Sequence, residues 1–125
     1  MLDNAIAGRI KDAVDAAFDE QVDCTAELVK FPSRRGREHT AQDFMARAMR
    51  EQDLKVDRWQ IEVDQISHLP GFSPVYADYD NAFNVVGAHR SDNPTGRSLI
   101  LNGHIDVVPE GLVEMWTPPP FEPRI

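Results

Sequence analysis

Ser98-Leu99-Ile100-Leu101-Asn102-Gly103-His104-Ile105-Asp106-Val107-Val108-Pro109 is the stretch around which the rest of the sequence arranges itself. Leu99-Ile100-Leu101 is an apolar, mostly β-favouring run, and Pro109 cannot donate to a ladder. The pattern predicts a buried strand that delivers polar side chains at its carboxyl end. Strand side chains alternate with period two, so His104 and Asp106 share one side and Ile105 takes the other. A carboxylate is thereby brought close to an imidazole. A metal-ligating imidazole usually donates its second ring N–H to such an acceptor, which fixes tautomer and orientation. On the His-x-Asp spacing alone, a histidine capping a strand and an aspartate opening a turn explain the same residues.

Upstream, Ala82 to His89 reads as a second apolar strand built on Phe83-Asn84-Val85-Val86-Gly87. Asp92, Asn93, Pro94 and Gly96 form the turn that separates it from Ser98. The two strands fit a hairpin or neighbouring places in one sheet. Leu54 to Val63 is a third strand candidate, with Trp59, Ile61 and Val63 on one face. Glu62 to Asn81 is irregular and rich in proline and aromatic residues. It reads as a long excursion beside the core.

Two helices precede these strands. From Asp3 to Lys30, Ile6, Ile10, Val14, Phe18, Val22 and Leu28 or Val29 recur at mostly four-residue steps, which predicts one amphipathic helix capped by Asp3 or Asn4 and stopped by Pro32. His39 to Asp53 predicts the next, with Ala41, Phe44, Met45, Ala48 and Met49 on one side. Between them, Arg34, Arg35 and Arg37 suit an anionic ligand but read first as a solvated turn. His39, His68 and His89 read as surface groups, and Glu110 and Glu114 as exposed loop acids. Cys24 has no neighbour that would activate a thiol.

Thirteen Lys and Arg against 21 Asp and Glu give a net charge of −8. That balance argues against nucleic acid, whose phosphates call for a positive surface. A single cysteine cannot form an internal disulfide, and no apolar run approaches a membrane span. Both features lead to the expectation of a cytoplasmic protein without a membrane partner.

Asn102 to Pro109, followed by Gly111, Trp116 and Pro119-Pro120-Phe121, closely resembles the first metal motif of a metallopeptidase and deacylase family. That family includes acetylornithine deacetylase, succinyl-diaminopimelate desuccinylase, aminoacylase and glutamate carboxypeptidase. The resemblance covers Ser98 to Pro123 well and the upstream helices only in rough pattern. It implies an α/β fold in which residues 1–125 are the amino-terminal portion of a zinc-peptidase-like catalytic domain, a sheet flanked by helices. It also implies two zinc ions, or cobalt in their place, with His104 as a metal ligand and Asp106 as the catalytic-site carboxylate that holds its imidazole. The implied substrate is a small N-acyl amino acid or peptide, cleaved at a linear amide bond. The remaining ligands and the general base would follow Ile125, as would any region forming a homodimer, so these residues alone are expected to be inactive. A strand apolar on both faces also needs cover that three strands and two helices do not supply. The competing expectation is a metal-free binding or assembly module. The His-x-His motifs of other metal hydrolases fit poorly, because position 106 is Asp.

Overall fold

A computed structural model of the chain describes residues 3–74, 76 and 78–125, and these fall into two units. One unit comprises residues 3–30 and 112–125. Its first helix, α1 (Asn4–Ala16), starts where Asp3 Oδ1 accepts a hydrogen bond of 2.8 Å from the Ala5 N–H. This is the anticipated cap, which satisfies one of the amide donors a helix start leaves open. The single long helix is interrupted at Ala17, and a second helix, α2 (Phe18–Val29), begins one residue later. Asp19 and Glu20 fall in its first turn, where carboxylates complement the positive end of the helix dipole. Pro32 follows its end, as expected. Ile6, Ile10, Val14 and Phe18 form an apolar stripe that stays exposed, and neither helix contains a fully buried residue. A short 3-10 turn, Val113–Met115, lies in the carboxyl-terminal part of this unit, where Trp116 is half exposed.

The second unit, residues 31–111, contains the layer that positions the candidate site. Helix α3 (His39–Glu51) matches its expected span to within two residues, and its Ala41 and Ala46 are fully buried. It packs against an antiparallel pair formed by β1 (Lys55–Gln60) and β2 (Phe83–Ala88), in register from Lys55↔Ala88 to Gln60↔Phe83. Gly87 on β2 permits the close approach. A Cβ there would lie 2.9 Å from both Leu54 Cδ1 and Met49 Sδ. Phe31 and Phe44 meet at 5.4 Å between ring centroids, fastening the start of the unit to α3.

The sequence left open which face of β1 turns inward. Val56 and Arg58 are the partly covered residues, while Trp59 points to the more exposed side. Arg58 occupies the inner position because its charge is answered there. Its Nη2 lies 2.8 Å from Asp43 Oδ1, and its guanidinium carbon lies 3.6 Å from the centroid of the Phe83 ring. Val63 belongs to a short helix, α4 (Val63–Ile66), within what the sequence suggested was wholly irregular; Val75 and Ala77 of that excursion are outside the described residues.

A second difference concerns the opening stretch itself. Residues 98–106 form no strand, and the side chains expected to be buried are out in the open: Leu99 is 81% exposed, Ile100 87% and Leu101 87%. The described sheet therefore has two strands rather than three. The physical reason is the absence of a ladder partner along this segment among the described residues. Its one backbone tie comes at its end, where the Val107 N–H donates to the Ser33 carbonyl at 2.8 Å in a lone parallel bridge between Arg34 and Val107.

Candidate functional site

His104 and Asp106 meet as their spacing predicts, although no ladder holds the segment. His104 Nδ1 lies 3.1 Å from Asp106 Oδ1 and 3.1 Å from the Asp106 carbonyl oxygen. In the tautomer protonated at Nδ1, that N–H is shared between the two acceptors and Nε2 keeps its lone pair. The imidazole is 85% exposed and the carboxylate 44%. One ring nitrogen is thus oriented by the protein and the other is accessible.

The pair borders a cleft of about 430 Å³ at the end of the sheet where β1 finishes and β2 begins. Arg35, Glu38 and Gln42 line it from the approach to α3 and its first turn. Asp78 and Tyr79 enter from the long connection, and Asn84 from β2. The wall thus combines a guanidinium with the carboxylates of Glu38, Asp78 and Asp106. Glu38 Oε2 and His39 Nδ1 are covered atoms without hydrogen-bond partners among the described residues, so His39 is not the simple surface group expected. His68 and His89 are exposed, in agreement with expectation, as is Cys24.

The carboxylate at Glu110 departs furthest from its expected role. Instead of standing free in a loop, it receives two hydrogen bonds from Arg34, one from Nε to Oε2 at 2.7 Å and one from Nη2 to Oε1. Its side chain is only 16% exposed, and that of Arg34 is 34%. Its own backbone N–H, and then the Arg34 guanidinium, hold the carboxyl below the ordinary value of 4.5 against the opposing effect of partial burial. Arg34, expected to be solvated, is the other half of the pair. Glu38, Gln42, Asp78 and Asn84 were also not singled out from the sequence. They come together only through tertiary placement and share no motif.

A bound metal can be tested against these donors. The oriented imidazole fits one coordination position, with its carboxylate in the supporting place such ligands usually have. A zinc site needs three or four protein ligands, and among the described residues no three His, Cys, Asp or Glu side chains converge to hold an ion. The residues fit one ligand and its support, and the rest of a coordination sphere would have to come from elsewhere.

Comparison with known proteins finds a short match to desuccinylases. The chain is 39% identical over 54 residues to the succinyl-diaminopimelate desuccinylase of Xylella fastidiosa strain 9a5c, and equally to that of strain M12. The matched stretch is 43% of this chain and 14% of each relative. No family model matches the chain. The likeness is short and distant, and it supports a relation to a deacylase family without fixing a specific activity. No described helix is long and apolar enough to cross a membrane.

Proposed function

We propose that these residues form the amino-terminal portion of a metal-dependent hydrolase that cleaves the amide bond of N-acyl amino acids or small peptides. The observation that carries this reading is the His104–Asp106 pair, one nitrogen oriented and the other open, at the edge of a cleft that also holds charged side chains. His104 would hold a metal through Nε2, and Asp106 would keep the ring in the tautomer that leaves Nε2 unprotonated. Zinc or cobalt, two ions in the whole protein, would supply Lewis acidity there and would lower the pKa of a bound water to about 7. Arg35 supplies positive charge at the cleft wall, and Glu38 and Asp78 supply negative charge, a combination suited to a small charged substrate. The general base and the remaining ligands lie outside these residues. The single cysteine is in keeping with a reducing, cytoplasmic setting.

A second reading, a metal-free binding or assembly module, is favoured by the absence of three converging ligands among the described residues. Metal analysis of the protein as cells make it separates the two. The hydrolase reading expects about two ions per chain, turnover of N-acetyl or N-succinyl amino acids, and loss of that turnover to a chelator. A metal-free protein with no such turnover would leave the module.

A further inference from the structure

We infer that Arg34 and Glu110 are positioning residues for His104, gripping the segment that carries the imidazole and fixing its register against residues 33–34. The inference rests on the reading of His104 as a metal ligand. Its basis is the contrast between how little else holds this segment and how closely the pair does.

Residues 98–106 have no ladder, and the Val107 N–H to Ser33 carbonyl bond is one isolated bridge. A single backbone bond leaves the segment free to pivot and shift against residues 33–34, and such a shift would move the His104 imidazole relative to the cleft wall that Arg35 lines. Three residues beyond that bond, Glu110 is held by Arg34 through two parallel hydrogen bonds. Ser33 and Arg34, adjacent in the chain, thus hold two points on the partner segment, with Pro109 stiffening the backbone between them. Two points define a register where one does not. The fork of a guanidinium matches a carboxylate in plane as well as charge, so the grip is geometric and not easily replaced by lysine. With both side chains largely covered, salt screens the pair less than an exposed one. The next residue, Arg35, lines the cleft, so the same clasp also ties the cleft wall to the imidazole.

The test uses the protein as cells make it, with Arg34→Met, Glu110→Gln, the double variant, Arg34→Lys and the swap Arg34→Glu with Glu110→Arg. Amide hydrogen exchange at Val107, whose N–H donates to the Ser33 carbonyl, and zinc affinity by titration are the readouts. Each single neutral variant should speed exchange at Val107 and weaken zinc binding, both roughly tenfold. Exchange in α3, β1 and β2 should stay as it was. The double variant should be no worse than either single one, Arg34→Lys should remain impaired, and the swap should recover part of the loss. Unchanged exchange and zinc affinity, additive losses in the double variant, or an equal rise in exchange throughout the second unit would overturn the inference. Should Arg34→Met fail to fold, Glu110→Gln preserves shape and an acceptor and decides the question alone. His104→Ala tells the two failures apart. Unaltered zinc binding in that variant removes the ligand reading, while the exchange data still judge the clasp.

Discussion

The α3–β1–β2 layer and the Ser98–Val108 stretch belong to the same unit, yet they are held in opposite ways. In the layer, a helix covers one face of a paired sheet closely enough that a Cβ at position 87 would displace the ends of the Leu54 and Met49 side chains. In the stretch that presents His104, apolar side chains stand exposed, and among the described residues its ties are a backbone bond at Val107 and an ion pair near its end. Packing fixes the first region, whereas hydrogen bonds and charge fix the second. Changes of volume should therefore damage the layer, and changes of charge or donor should damage the site.

The largest effect is expected from Gly87→Val. The added methyl groups would meet Leu54 and Met49, and overpacking of this kind costs about 1–3 kcal/mol. A lowered urea midpoint would show it, and an unchanged one would mean that the helix does not approach the sheet as described. Next comes Asp106→Asn, which keeps shape but weakens the acceptor for the His104 ring. Zinc affinity should fall roughly 10 to 100-fold with little change in the unfolding midpoint. Equal affinity would show that the carboxylate does not support a ligand.

Acid should separate the regions more gently. The folded pKa of Glu110 is lowered, so the ion pair contributes fully above the unfolded value near 4.5 and its contribution is lost as pH falls through the lower folded value. The protection of the Val107 amide should weaken over that acid range, and Glu110→Gln should remove the part of the change that follows its titration. An identical acid profile in the variant would contradict the sign or the role. The smallest effect belongs to Ile100→Thr in the 125-residue chain. At a side chain 87% exposed, the change in stability should stay within about 0.5 kcal/mol. A larger loss would show that this stretch is covered after all.

The same contrast explains which features could be seen in the sequence. Helix α3, strands β1 and β2 and the Asp3 cap were legible because periodicity and capping are local properties. The proximity of His104 to Asp106 was legible from their spacing of two, although the strand expected to impose it does not form. Which face of β1 turns inward was not legible, because hydrophobicity alone favours Trp59, whereas Asp43 and Phe83 make the inward position suitable for Arg58. The strand expected at Leu99–Leu101 was read correctly as apolar, but burial needs partners that the described residues do not provide. The Arg34–Glu110 pair left no signal at all. Its members are 76 positions apart, and each stands in a polar turn where a solvated charge is the ordinary expectation.

The central claim is that the His104 imidazole binds metal through its accessible nitrogen. Metal stoichiometry of the protein as cells make it, compared with its His104→Ala variant after both are purified without chelators, addresses that claim most directly. The account predicts about two ions per chain in the parent and the loss of at least one in the variant, with the α3–β1–β2 layer still folded. Equal metal content in the two would contradict it.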